Sequence, residues 1–168
     1  QALNSNAADM DAFMEEEWLE DSSKTVKDSL VEQIAVIGEN LKIRRFEKAN
    51  AEDGCVVDYI HGGGRIGVVA VAQTSVVNDA VKEAVKNLCM QIAALNPKYV
   101  SRDEISADYI AHEKEILRAQ IMNDPKESQK PEKVINGMIE GRVNKELKEI
   151  CLVDQVYVKA EDGKQTVA

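Results

Sequence analysis

A cluster of glycines between two β-prone runs is the feature that most restricts the fold. Residues 55–60 and 66–71 are rich in β-branched and aromatic side chains, and three glycines at 62–64 separate them. Such runs, bounded by turn residues, are typical of β-strands, and glycines supply the positive φ angles that a tight turn requires. The sequence therefore predicts a β-hairpin whose tip, residues 59–65, presents His61.

The same glycines also fit two other motifs. Gly62, Gly64 and Gly67 satisfy the dinucleotide-binding spacing G-x-G-x-x-G, but that motif needs a helix N-terminus after it, and here Val-Val-Ala-Val follows. The run His-Gly-Gly-Gly that starts at His61 is similar to the oxyanion loop of some esterases, which requires a G-x-S-x-G motif that the sequence lacks. The glycines therefore favour neither nucleotide binding nor ester hydrolysis.

The charge of the chain argues against a nucleic-acid partner. The 168 residues carry a formal net charge of -9 at pH 7, whereas nucleic-acid binding depends on Lys and Arg side chains that neutralise phosphates. Apolar runs are too short to span a membrane, and no signal peptide opens the chain. We therefore expect a cytoplasmic protein with neither a membrane nor a nucleic-acid partner.

Residues that could carry catalysis or bind a metal are few and scattered. Cys55, Cys89 and Cys151 are far apart and form no C-x-x-C pair, so we expect reduced, buried thiols. His61 and His112 are too few to make a zinc site with them. The sequence therefore predicts no catalytic residue, no metal and no cofactor. It leaves His61 open as a general base, as a residue that only hydrogen-bonds within its turn, or as a contact residue.

Before the hairpin, the spacing of apolar residues predicts two helices and a strand. The first helix covers residues 8–19, and the second is capped by Ser22 or Ser23 and ends at Gly38. Residues 41–50 begin with alternating apolar and charged side chains, as in a strand with one wet face. This strand and the hairpin would make a three-stranded antiparallel sheet with one face to be covered.

After the hairpin, helical spacing of apolar residues predicts three more helices. One is capped by Ser75, ends at Asn96 and should lie on the sheet. Two others flank a breaker with two prolines and form an antiparallel helical hairpin over about 106–150, which is expected to protrude as a coiled coil. The predicted fold class is α+β: a three-stranded antiparallel sheet covered by helices, with this hairpin attached.

Five sequence blocks are more informative about the protein family than these patterns of apolar residues. In chain order they are IGENLKIRRF (37–46), YIHGGGRIGV (59–68), NPKYVSRDE (96–104), HEKEIL (112–117) and KPEKVINGMIEGR (130–142). In their residues, order and spacing, these blocks make the chain from about Ile34 to Gln165 resemble the elongation factor Ts family of bacteria and organelles. Several matching blocks are far more specific than one glycine motif.

The resemblance implies a guanine-nucleotide exchange factor of translation elongation. Such a factor binds elongation factor Tu, in its GDP-bound and nucleotide-free forms, and promotes GDP release without covalent chemistry. Residues 1–38 would be the remainder of the N-terminal core subdomain, and residues 39–168 the C-terminal dimerisation subdomain, with a possible homodimer. The resemblance implies that Ile37 and Gly38 contact the partner's nucleotide-binding domain and that His61 contacts its third domain. The other expected contact residues at the tip are Tyr59, Gly62, Gly63 and Arg65.

Some family segments have no counterpart in these 168 residues. They are a ubiquitin-associated-like module, a Thr-Asp-Phe-Val segment and a last strand of Arg-Phe-x-Arg-Phe-Glu-Val-Gly type. In the family the Asp-Phe pair intrudes beside the nucleotide and creates much of the preference for the nucleotide-free partner. If the protein has no more than these residues, we expect it to bind elongation factor Tu weakly and to exchange GDP poorly. Two other functions are alternatives to the exchange factor. One is a homodimerisation module that pairs through the helical hairpin, and the other is a hydrolase whose active site uses His61 and Cys55.

Overall fold

Five helices and two small antiparallel sheets make up the structure, a computed structural model that describes residues 1–168. The helices are α1 Met10–Met14, α2 Val26–Ile37, α3 Asp79–Leu95, α4 Ala107–Asn123 and α5 Glu132–Ile150, and the strands are β1 Glu17–Trp18, β2 Asp21–Thr25, β3 Gly54–His61 and β4 Ile66–Gln73. The predicted α+β class is confirmed. The chain divides into two units, residues 1–50 and 51–168. None of the helices is long and apolar enough to cross a lipid bilayer.

Helix α2 has a defined start and a defined end within residues 1–50. The Thr25 hydroxyl accepts a hydrogen bond from the Asp28 N–H at 3.1 Å, and the Asp28 carboxylate accepts one from the Thr25 N–H at 3.0 Å. This reciprocal pair is a capping box. Gly38 ends the helix with a φ of 78°, as predicted. The predicted caps Ser22 and Ser23 are wrong, because both residues lie in β2.

The helix predicted over residues 8–19 is much shorter than expected. Helix α1 covers only Met10–Met14, and β1 begins at Glu17 and pairs with β2. Strand pairing thus takes up residues that the apolar spacing assigned to a helix. Phe13 is 3% exposed, and its ring centroid lies 4.7 Å from that of Phe46, so the short helix still anchors the apolar interior of this unit.

Residues 41–50 form no strand, which corrects the predicted three-stranded sheet. Strand β3 pairs with β4 alone, in a sheet of two strands. Alternating apolar and charged side chains produce a strand only where a neighbouring edge supplies backbone hydrogen-bond partners. In residues 1–50 the two strands pair with each other, and Phe46 packs on Phe13 instead of facing a sheet.

Helix α3 covers one face of the β3–β4 hairpin, as predicted. Cys55, on that face, and Val85 and Cys89, on the helix, are all less than a tenth exposed. The Cys89 thiol lies 3.6 Å from the Val57 carbonyl oxygen, to which it donates a weak hydrogen bond. The helix thus supplies the apolar contact that a two-stranded sheet lacks by itself.

The helix boundaries after the hairpin follow the expected chemistry at most ends. Asn96 ends α3 in the left-handed conformation with a φ of 46°, and the Ser106 side chain caps α4. Helix α3 begins at Asn78, whose side chain accepts a backbone hydrogen bond at 2.9 Å. The predicted cap Ser75 lies three residues too early.

Helices α4 and α5 run antiparallel, as predicted. The contacts between them move in opposite directions along the two helices: Tyr109 to Glu146, Lys114 to Glu140, and Arg118 to Glu132. Burial and the bond to Glu146 raise the pKa of Tyr109 to about 12. The two ion pairs are exposed, and such pairs contribute little stability.

The interior of the helical hairpin is a row of apolar side chains. It consists of Ile121 on α4 with Ile135, Ile139, Val143 and Leu147 on α5. The α5 residues recur every fourth position, whereas a coiled coil alternates steps of three and four. The coiled-coil part of the expectation stays a prediction.

Backbone hydrogen bonds in a short parallel pairing join the two segments at the base of this helical hairpin. The Leu152 N–H donates to the Tyr99 carbonyl at 2.9 Å, and the Val153 N–H donates to the Val100 carbonyl at 3.1 Å. The Arg102 guanidinium lies 2.5 Å from the Asp154 carboxylate. The segments before α4 and after α5 are therefore fixed to each other.

A buried amide network joins α3 to the last segment of the chain. Gln91 is 0% exposed; its amide nitrogen donates to Gln155 and to the Val156 carbonyl, both at 3.1 Å, and its oxygen accepts from the Val158 N–H at 2.7 Å. Gln155 in turn donates to the Glu149 carbonyl at 2.7 Å. No buried side-chain nitrogen or oxygen lacks a partner.

Two isoleucines of α4 provide a matched stability test. Ile121 is 0% exposed and Ile116 is 38% exposed. We expect Ile121→Ala to lower the free energy of unfolding by about 2–5 kcal/mol, because a cavity remains in the core. Ile116→Ala should cost less than about 1 kcal/mol. Urea unfolding followed by circular dichroism measures both values, and equal losses would contradict the assignment of the core.

Candidate protein-binding site at the hairpin tip

The β3–β4 ladder ends in a four-residue turn. The pairing runs without a break from Gly54 opposite Gln73 to His61 opposite Ile66, which leaves residues 62–65 as the loop. The three glycines of the loop have φ angles of 60°, 66° and 92°. Side chains other than glycine are disfavoured at these angles, so the glycine run is required for this turn. The predicted hairpin is confirmed.

Tyr59 and His61 lie side by side just before the turn. Alternate residues of a strand share a face, and the Tyr59 hydroxyl oxygen is 2.9 Å from Nδ1 of His61. Their ring centroids are 5.9 Å apart, with the planes tilted by 35°. Tyr59 is half-buried, whereas His61 is exposed. The imidazole is therefore held by one nitrogen and open to solvent at the other.

The remaining predicted residues of the tip are also accessible. Gly62, Gly63 and Arg65 are exposed, as is Ile60, whose residue surface is 67% exposed. The structure brings Tyr59, His61 and the loop residues together at one end of the ladder.

The outer face of the hairpin carries apolar side chains that the sequence analysis did not single out. Val56, Ile60, Val69 and Val71 are between 39% and 67% exposed. The sequence did contain a signal for this apolar face. Strands with one wet face alternate apolar and polar residues, whereas β3 and β4 are apolar at nearly every position. This face adds an apolar surface next to the tip.

Ile37 and Gly38, the other predicted contact residues, lie at the end of α2 in residues 1–50. Ile37 is 53% exposed and its neighbour Val36 is 80% exposed. The Gly38 N–H donates to the Ile34 carbonyl at 2.8 Å, which completes the helix end. This helix end thus presents apolar side chains to solvent.

The proposed pairing of His61 with Cys55 for hydrolysis is wrong on geometry. Both residues belong to β3 and are six positions apart, which places them about 20 Å apart in an extended strand. Burial raises the pKa values of the other two thiols, Cys89 and Cys151, and this disfavours the nucleophilic thiolate. No three His, Cys, Asp or Glu side chains lie close enough to hold a metal ion.

Comparison with known proteins accounts for the whole chain. The family model described as "Elongation factor TS" matches residues 1–168. The chain belongs to the elongation factor Ts family. It is 43% identical over 166 residues to elongation factor Ts of Clostridium botulinum strain Eklund 17B, a match that covers 99% of this chain and 52% of the relative. The factor from strain 657 is 43% identical over 162 residues, covering 96% of this chain and 52% of the relative.

The chain therefore spans about half the length of the curated elongation factor Ts relatives that it matches. The sequence-based assignment to this family is confirmed. The roles of Ile37, Gly38, Tyr59, His61 and the loop residues stay predictions.

Two strand glycines of the elongation factor Ts hairpin allow a controlled test of its geometry. Gly54 has a φ of 138°, and a Cβ there would collide with the Ala72 carbonyl oxygen, whereas a Cβ at Gly67 meets nothing within 4 Å. We expect Gly54→Ala to destabilise the hairpin by more than about 2 kcal/mol and Gly67→Ala to change stability by less than about 1 kcal/mol. Thermal unfolding measures both; a tolerated Gly54→Ala would contradict the pairing of Gly54 with Gln73.

Proposed function

We propose that the chain acts in translation elongation as part of a guanine-nucleotide exchange factor that binds elongation factor Tu and promotes GDP release. The observation that carries the proposal is the family match over all 168 residues. A hairpin tip with an exposed imidazole and an adjacent apolar face supports protein binding as the mode of action. As a translation factor the protein would act in the cytoplasm.

The proposed action needs differential binding and no covalent step. A factor that binds nucleotide-free elongation factor Tu more tightly than the GDP-bound form lowers the affinity for GDP by the same ratio, because the coupling is reciprocal. A factor with equal affinity for both forms would release no GDP, however tightly it bound. Contacts at the tip supply affinity, and the difference between the two forms must come from contacts that depend on the nucleotide.

Two surfaces are proposed to contact elongation factor Tu. The exposed end of α2, with Ile37 and Gly38, is proposed to meet the nucleotide-binding domain, and the tip around His61 to meet the third domain. In this proposal residues 1–38 belong to the N-terminal core subdomain and residues 39–168 to the C-terminal subdomain. Homodimerisation through the latter is a further part of the proposal.

Binding and exchange can be measured separately. The chain is immobilised and mixed with elongation factor Tu whose nucleotide has been removed by a chelator, and the release of a fluorescent GDP analogue is followed in a second assay. We expect retention of elongation factor Tu and GDP release slower than that driven by a full-length relative. No retention of the nucleotide-free form would contradict the proposal.

The two histidines form a matched pair for testing the tip. His61 is at the tip and His112 is exposed on α4. We expect His61→Ala to weaken the binding of elongation factor Tu by about 1–2 kcal/mol if it is a contact hot spot, with little effect on folding because the side chain is exposed. His112→Ala should leave the affinity unchanged. Isothermal titration calorimetry measures both, and an unchanged affinity for His61→Ala would remove the contact role.

A further inference from the structure

We propose that Tyr59 is a positioning residue for His61 and not itself a contact of the partner, an inference that rests on the proposed function. The geometric basis is the 2.9 Å separation between the Tyr59 hydroxyl oxygen and Nδ1 of His61. Tyr59 is half-buried on the face of β3 that carries Cys55 and Val57, whereas His61, two residues on, is exposed. The half-buried Tyr59 side chain thus restrains the exposed His61 side chain.

The direction of this hydrogen bond depends on the tautomer of the imidazole. In the proposal the Tyr59 O–H donates to Nδ1, which requires a lone pair there, so the neutral ring carries its proton on Nε2. The outward nitrogen is then a donor. The group that His61 meets on the partner must accordingly be an acceptor, such as a carbonyl or carboxylate oxygen.

The bond also restricts the orientation of the ring before the partner arrives. An exposed side chain loses rotamer freedom when it is fixed in an interface, and a contact that already exists in the unbound protein reduces that loss. The ladder supports this arrangement, because Tyr59 lies opposite Val68 and His61 lies opposite Ile66, the last pair before the turn. A fixed backbone keeps the two rings at the observed separation.

Tyr59→Phe removes the hydroxyl and keeps the ring. Tyr157→Phe is the matched control, since Tyr157 lies outside the hairpin, in the segment after α5, where its backbone N–H donates to the Gln165 carbonyl. Nitrogen-15 spectra of the histidine rings, recorded at alkaline pH where imidazole is neutral, report the tautomer of His61, with His112 as an internal reference. Thermal unfolding confirms that both variants fold.

In the Tyr59→Phe spectrum we expect the His61 ring nitrogens to move toward the positions of mixed tautomers, while those of His112 stay in place. We expect the affinity for elongation factor Tu to fall about two- to tenfold, the loss typical of one hydrogen bond. In a His61→Ala background, Tyr59→Phe should cause no further loss, because Tyr59 acts through His61.

Two results would overturn the inference while leaving the proposed function intact. Unchanged His61 nitrogen shifts in Tyr59→Phe would mean that the hydroxyl does not set the tautomer. Equal losses from Tyr59→Phe with and without His61 would mean that Tyr59 touches the partner itself. Failure of the proposed function is recognised separately, because the unmodified chain would then not retain nucleotide-free elongation factor Tu at all.

Discussion

The contact of α3 with one face of the β3–β4 hairpin is the interaction on which residues 51–168 depend. A two-stranded hairpin alone is marginally stable in water, and this one has glycines at its tip that favour many unfolded conformations. Val85 and Cys89 bury the inner face of the strands. The helix thereby holds rigid a ladder whose far end carries Tyr59 and His61. The tip is accessible because it lies at the end of the ladder, and it is ordered because α3 packs on the strands.

The same helix is fixed on another side by amide groups in place of apolar contacts. Gln91 and Gln155 are both buried, and every one of their polar atoms has a partner. Unsatisfied amides would be costly there, so these bonds discriminate strongly between the native placement of the last segment and any shifted one. Apolar packing stabilises the helix against the strands, while the amide network specifies the position of residues 155–158 along it.

Local backbone chemistry explains which parts of the fold could be predicted from the sequence. The ends of α2 and α3 and the hairpin turn depend on Gly38, Asn96 and the glycine run, whose conformations few other residues adopt. The wrong predictions depend on which backbone segments pair with each other. Residues 41–50 have the alternation of a strand, and residues 8–19 the spacing of a helix, but neither pattern shows which backbone edge is available. The alternate positions of Tyr59 and His61 place both residues on one face of β3, yet only the three-dimensional structure shows that the two side chains turn toward each other.

The order of elements along the chain has a consequence for how the protein folds. The two strands and α3 are consecutive, so their contacts close short loops, whereas the bond between Gln91 and Gln155 joins residues 64 positions apart. Loop closure costs more entropy as separation grows, and local contacts form faster. The glycine turn and the helix behind it can therefore assemble before α5 has been synthesised. We therefore expect the surface that presents His61 to form early on a growing chain, before the hydrogen bonds between Gln91 and Gln155 fix the last segment.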